Sequence, residues 1–255
     1  MKKLIKQIIF AVTFLTIIPG PKKLNITPED TGRSMAFYPI VGITIGIFLF
    51  LISRYGYISA FTTSIFITVF LLLITRGLHA DGLIDSFDGF LSGTKNPEKI
   101  LEIMKDSNIG ALGFIAAFSV YLIKIALIYE LLTRKGINYP YYLMILPALS
   151  RSGVSFAVYL FKYPRKKGGL GRDFFSSIGI TQVLISFFIT VIFTLEKGTY
   201  KNLFLAPAVF IFWLIWGLIC KKKIGGMTGD TIGAGIELSE VFSIALILAI
   251  SGLKF

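Results

Sequence analysis

The sequence predicts an all-α polytopic membrane protein with about seven transmembrane helices, an N-terminal interfacial or re-entrant helix, and an amphipathic helix on the cytoplasmic side. Three observations carry this. Apolar residues make up 55% of the 255 and charged residues 16%, against roughly 25% charged in soluble domains, and the mean hydropathy is +0.77. Apolar runs long enough to span a bilayer lie at about 36–53, 58–75, 111–129, 139–160, 179–195, 203–220 and 236–253. Finally, loops 19–35, 76–110, 161–178 and 221–235 hold fifteen Lys and Arg, whereas the opposite loops and the C-terminus hold six, at 54, 134, 135, 197, 201 and 254. The positive-inside rule assigns the richer set to the cytoplasm, in the cell (inner) membrane.

In chain order, the first apolar stretch, Ile8 to Ile18, follows a basic start and is closed by Pro19 and Pro21. At about 1.5 Å per residue it is too short for a bilayer core of about 30 Å, so it reads as interfacial or re-entrant. It lacks the small-residue cleavage site of a signal peptide. The segment 37–46 places Gly42 and Gly46 four residues apart, which suits close helix packing. No internal repeat or linker divides the chain, so residues 1–255 read as one integral membrane catalytic domain. The net charge of +12 sits in short loops beside apolar runs, where it sets topology or meets anionic lipid, and nucleic acid is not an expected partner. One cysteine, Cys220, excludes an internal disulfide, and one histidine, His79, argues against zinc.

The segment 76–106 contains six of the fourteen acidic residues. Asp81, Asp85 and Asp88 fall at i, i+4 and i+7, so on a helix they lie within about 60° of one another, opposite Leu83, Ile84 and Phe87. A structural stripe of acids is normally interleaved with Lys or Arg, and none lies between these three. The bland reading is a solvated loop helix. The functional reading is a Mg²⁺ site, with Mn²⁺ possible, because oxygen-only ligands suit hard cations that bridge to phosphates.

Downstream, Asn96 is a good N-cap and Pro97 suits the first helical position. Glu98, Glu102 and Asp106 line one face of the expected helix, and Ile100, Leu101, Ile103 and Met104 the other. A surface-lying amphipathic helix explains that pattern equally well as a ligand role for Glu102 or Asp106 does. Lys99 and Lys105 partly neutralise it. The third constellation is 225–237 (GGMTGDTIGAGIE), where closely spaced glycines surround Asp230 just before the last span. It reads as a loop whose backbone N–H groups cradle an oxyanion, with a flexible loop as the alternative.

Among isolated residues, Arg151 lies about twelve residues into a span, where an ionisable group marks a site by default; a phosphate or a carboxylate would be its partner. Lys124 is similar but has a stem long enough to snorkel. Arg33 and Arg76 stand at span ends. The run Arg165 to Arg172 reads first as a solvated, lipid-facing loop. Glu237 and Glu240 fit either interfacial or ligand roles.

No Ser-His-Asp or Cys-His set assembles. Carboxylates, a Gly-Asp loop and basic residues at one membrane edge instead fit metal-assisted displacement at a phosphate or diphosphate. A carboxylate, or His79, would accept the proton of an attacking hydroxyl. The candidate catalytic set is Asp81, Asp85, Asp88, His79 and Asp230. Metal candidates are Asp81, Asp85, Asp88, Glu102 and Asp106. Substrate-binding candidates are Arg33, Arg76, Lys105, Arg151, Gly225, Gly226, Thr228 and Gly229. A CDP-alcohol phosphotransferase or a prenyltransferase shares such chemistry; the former has Ala-Arg after its Asp-Gly, where this chain has Leu83, Ile84 and Asp85. A secondary transporter would place ionisable groups near the bilayer midplane, whereas nearly all the acids here lie in loops.

The segments 77–89 (GLHADGLIDSFDG), 102–107 (EIMKDS) and 225–234 (GGMTGDTIGA), with 14–19 (FLTIIP), 37–42 (FYPIVG) and 146–151 (LPALSR), resemble the cobalamin synthase family, the adenosylcobinamide-GDP ribazoletransferases. The likeness runs over nearly the whole chain. Ala80 and Ile84 stand where other small or aliphatic residues are expected, off the acidic stripe or beside it. The resemblance implies an integral membrane enzyme dependent on Mg²⁺. It would join adenosylcobinamide-GDP to α-ribazole or α-ribazole 5′-phosphate, with attack through a ribazole hydroxyl expected at the 5′ position and release of GMP. It also implies that Asp81, Asp85 and Asp88 hold metal against the diphosphate, with Asp230, Arg151, Glu102 and Asp106 completing the site.

Overall fold

The computed structural model describes residues 2–21, 23–55, 58–165, 170–195 and 200–252, and among them every regular element is helical. In order these are α1 (Lys2–Leu15), α2 (Pro28–Ser34) with a 3₁₀ turn after it, α3 (Tyr38–Tyr55), α4 (Ala60–Ile74), α5 (Leu78–Leu91), α6 (Pro97–Ile103), α7 (Ala111–Thr133), α8 (Tyr139–Leu160), α9 (Leu170–Ser176), α10 (Ile180–Leu195), a second 3₁₀ turn, α11 (Leu205–Ile224) and α12 (Gly229–Gly252). Each of the seven apolar runs coincides with a helix. Five helical segments are long and apolar enough to cross a membrane, and a sixth crossing arises if α4 and α5 are counted as one bent span. The polytopic reading therefore stands with five to six such spans. The run at 179–195 forms a helix of only 16 residues.

Helix α8 is the axis of the bundle and is the most buried of the spans, whereas α7 is mostly on the outside. The exposed face of α7 carries Phe114, Ile115, Phe118, Leu122 and Ile123, a surface suited to lipid and not to water. Helices α3 and α8 meet backbone to backbone. A methyl group on Gly42 would stand 2.4 Å from the Ala148 amide, and one on Gly46 only 1.8 Å from the Met144 carbonyl. Only glycine admits that approach.

The core also holds charge. Lys124 on α7 donates to Glu237 and, at 2.8 Å, to Glu240 on α12; Arg151 on α8 reaches Glu240 at 3.0 Å. All four side chains are buried. Two cations thus face two carboxylates, which offsets the large cost of burying each alone. Lys124 does not snorkel, because its partners lie inside the bundle. Glu237 and Glu240 are neither interfacial nor ligands from a loop.

The loops at one end of the bundle are tied together. Met227 N donates to Lys162 O at 3.0 Å, Lys223 Nζ to Phe90 O at 2.9 Å, and Ser177 Oγ to Pro28 O at 2.7 Å. These bonds join segments from the four basic-rich loops. At the opposite end, Tyr142 donates to Asn202 at 3.0 Å and Arg134 to Leu248 O.

Candidate active site

Helix α5 lies at 89° to α4, so it runs across the end of the bundle instead of continuing the crossing. The corner is a Schellman-type termination: Gly77 N bonds Leu72 O at 2.9 Å and Arg76 N bonds Leu73 O at 3.0 Å. It requires two left-handed residues, Arg76 (φ 55°) and Gly77 (φ 70°). Arg76 is an unusual residue for that region. Its guanidinium donates to Thr13 O at 3.3 Å, pinning α1 to the corner.

α5 presses against the start of α12. A methyl group on Gly82 would lie 2.6 Å from the Asp230 carbonyl, and one on Gly233 would lie 3.2 Å from the Cα of His79. This places Asp230 beside the acidic stripe of α5. The last span starts earlier than its apolar run suggests. Thr228 caps it, with Thr228 N bonding Thr231 Oγ1 at 2.8 Å and Thr231 N returning to Thr228 Oγ1 at 3.3 Å. Asp230, Gly233 and Gly235 are therefore helical and not in a loop. The amides of Gly229 and Asp230 are the unsatisfied first-turn donors of α12, with no side-chain or loop acceptor among the described residues, and they suit an anion. Gly225 (φ 79°) and Gly226 form the turn before the cap, and Gly226 packs on the Lys162 carbonyl.

Of the aspartates, Asp81 is exposed and Asp85 half-buried, and neither makes a hydrogen bond or ion pair among the described residues. Asp85 is the electrostatic centre. Burial, then the charges of Asp81, Asp230 and Asp88, pushes its carboxyl up to about 7, against the partial relief of Arg165. Asp88 has another task as well. Its oxygens accept from Gly110 N at 2.8 Å and Gly113 N at 2.7 Å, capping α7. Asp230 accepts from Arg165 Nη2 at 2.9 Å and from Thr228 Oγ1 at 3.2 Å. Arg165 is the residue that sequence reasoning undervalued. It belongs to a basic run whose next members, 166–169, lie outside the described residues, and only tertiary contact singles it out.

His79 is buried, and burial with the nearby Arg151 charge pushes its imidazole down to about 3, so it is neutral at physiological pH. Its imidazole has no hydrogen-bond partner among the described residues. Arg33, Arg151, Glu102, Lys105 and Asp106 make no hydrogen bond or ion pair with the Asp85 group among the described residues. Arg33 pairs with Glu29 at 2.6 Å. Arg151 is held by Glu240 in the core. Helix α6 forms as expected on its Asn96 cap and buries Ile100 and Met104, but it ends at Ile103. Glu102, Lys105 and Asp106 are exposed, and Asp106 closes a turn with Asn108 N at 3.0 Å.

Among the described residues, no three His, Cys, Asp or Glu side chains form a ready-made metal cage. An ion such as Mg²⁺, which generally takes one or two carboxylates plus waters and substrate phosphates, needs no such cage. Asp81 and Asp85, unpaired and crowded, have the donor chemistry for such an ion.

The model of the cobalamin-5-phosphate synthase family matches residues 7–248. The chain belongs to that family. Similar curated proteins of the family are named adenosylcobinamide-GDP ribazoletransferase. The one from Acetivibrio thermocellus is 35% identical over 96% of this chain and 98% of its own length. That from Clostridium tetani is 32% identical over 97% and 98%, and that from Clostridioides difficile 36% over 92% and 94%. No solved structure matches the chain. The conserved length of these cobalamin-5-phosphate synthase relatives means that both ends of the bundle, and the crossing corner at Arg76, fall within the shared region.

Proposed function

We propose that this membrane protein is an adenosylcobinamide-GDP ribazoletransferase whose active site is the carboxylate group around Asp85, on the cytoplasmic side. The chain would join adenosylcobinamide-GDP to α-ribazole or α-ribazole 5′-phosphate. A ribose hydroxyl attacks the cobinamide-linked phosphorus, a new P–O bond forms, the bond to the bridging oxygen of GMP breaks, and the hydroxyl proton passes to a base. An acceptor that already carries a 5′-phosphate has no 5′-hydroxyl to give. The nucleophile common to both acceptors is therefore one of the remaining ribose hydroxyls and not the 5′-hydroxyl.

The observation that carries the site is the unpaired crowding of Asp81 and Asp85 beside Asp230 and Arg165. Asp81 and Asp85 would hold Mg²⁺, or Mn²⁺, which when bound supplies charge neutralisation at the phosphoryl oxygens. The first-turn amides of α12 and the Arg165 guanidinium, which is bonded to Asp230, lie at the same helix end and suit the diphosphate oxygens. Asp88 holds the start of α7 in place and so fixes the far end of α5. Glu102, Asp106, Lys105 and Arg33 make no hydrogen bond or ion pair with this group among the described residues, and the proposal leaves them outside it.

The test is direct. Purified protein supplied with adenosylcobinamide-GDP, α-ribazole and Mg²⁺ is expected to release GMP in step with completed cobalamin. Folded protein that yields neither product would end the proposal.

A further inference from the structure

Next to the carboxylates lies a cavity of about 210 Å³, walled by α1, the start of α3, α5, α8, α9 and α12. Its lining is largely aromatic and aliphatic, including Phe14, Tyr38, Val158, Phe174 and Phe175. Phe14 and Phe174 pack with ring centroids 4.9 Å apart. Asp81 and Asp230 line the same cavity, so its contents touch the proposed diphosphate site. The volume falls below the roughly 300–1,000 Å³ of pockets for drug-sized ligands. It admits one bicyclic ring and not a macrocycle.

The polar inventory narrows the occupant further. Away from the two acids, the ionisable side chains of the lining are His79 and Tyr38. His79 is 2% exposed, and its Nε2, without a partner among the described residues, has no surface open to the cavity. Tyr38 is likewise 2% exposed. Guanine carries several donors and acceptors around its edges, and most would be buried here without partners, which is costly. A base of the benzimidazole type has two apolar edges and one free ring nitrogen.

We propose that this cavity seats the aromatic base of the nucleoside acceptor, a flat bicyclic ring held among Phe14, Tyr38, Phe174 and Phe175 while its ribose emerges at Asp81 and Asp230. This rests on the transferase reading above, and it assigns the acceptor to the α1–α9 side and leaves the corrinoid and guanine outside the cavity.

Equilibrium binding to the full chain in detergent, with neither metal nor corrinoid present, tests the cavity separately from the reaction. The probes are 1-methylbenzimidazole, 1-methylindole (which lacks the ring nitrogen) and GMP. Val158→Phe fills the cavity from α8 and Ile236→Phe from α12; a thermal midpoint close to that of the native chain shows which of them folds. The folded filling variants are expected to weaken 1-methylbenzimidazole about 10-fold or more and to leave GMP unchanged. 1-Methylindole is expected to follow 1-methylbenzimidazole and to be weakened by the same filling variants. In turnover, the filling variants should raise KM for α-ribazole and keep KM for adenosylcobinamide-GDP within about twofold. Unchanged benzimidazole binding in both filling variants would overturn the assignment, as would loss of GMP binding or parallel rises in both KM values. Cavity-dependent binding without any turnover leaves the base site standing and removes the reaction; turnover with cavity-independent binding does the reverse.

Discussion

Asp85→Asn should separate catalysis from stability. The unfolded chain releases this proton near pH 4, whereas the folded protein holds it to about 7. Folding therefore favours the protonated acid. The full stability is present below pH 4, declines as pH rises between 4 and 7, and remains reduced above 7. The largest penalty at pH 8 is about 4 kcal/mol, from about 1.4 kcal/mol per pH unit. Asp85 is only half-buried, so screening by water reduces this to about 1–2 kcal/mol. Removing the charge with a near-isosteric amide recovers that amount. In detergent with EDTA at pH 8, the variant should melt about 2–6 °C above the wild type, and the difference should shrink towards zero near pH 4. Mg²⁺ should raise the wild-type midpoint and leave the variant's almost unmoved, while transferase activity is lost. A variant less stable than the wild type at pH 8 would show that Asp85 is satisfied by partners other than a cation, and the metal argument would then fail at its central residue.

Two further perturbations probe the neighbouring parts. Arg165→Ala should raise KM for adenosylcobinamide-GDP about tenfold through the lost phosphate contact, while thermal stability shifts by less than about 1 kcal/mol because its pair with Asp230 is partly exposed; steady-state kinetics and a melt on the same preparation separate the two. Glu240→Gln leaves Lys124 and Arg151 sharing one buried carboxylate, and unfolding in denaturant should show a loss of about 3–5 kcal/mol. A loss below about 1 kcal/mol there would mean that water already reaches the network.

Sequence patterns of short range located most of this molecule. Each apolar run became a helix because satisfying backbone groups in lipid leaves helices as the answer for isolated apolar segments of that length. The Asn96 cap set the start of α6 for equally local reasons. The i, i+4 spacing of Asp81 and Asp85 was enough to put them on one face, but it could not say that Asp88 turns to the amides of Gly110 and Gly113. That interaction depends on where a helix 22 residues further on begins. The right-angle corner was hidden for a different reason. Its left-handed first residue is Arg76 and not the glycine that usually announces such a stop.

The core charges show the same limit most clearly and also connect it to function. Arg151 and Lys124 look like independent functional residues in sequence, because a membrane-buried cation has to be explained. Their explanation is the pair Glu237 and Glu240, two turns into α12, 86 residues or more away along the chain. The network joins α7, α8 and α12, and α12 carries Asp230 and the two open amides in its first turn. Those groups reach Asp85 because Gly82 lets the helices approach within contact of the Asp230 carbonyl. The buried ion pairs tie α12 to α7 and α8 and so set its depth in the bundle. Depth matters here because a one-residue slip would move Asp230 about 1.5 Å along the axis and about 100° around it, away from both Arg165 and Asp85. A network of directional, fully buried charges resists such slippage in a way that apolar packing alone, tolerant of small shifts, does not.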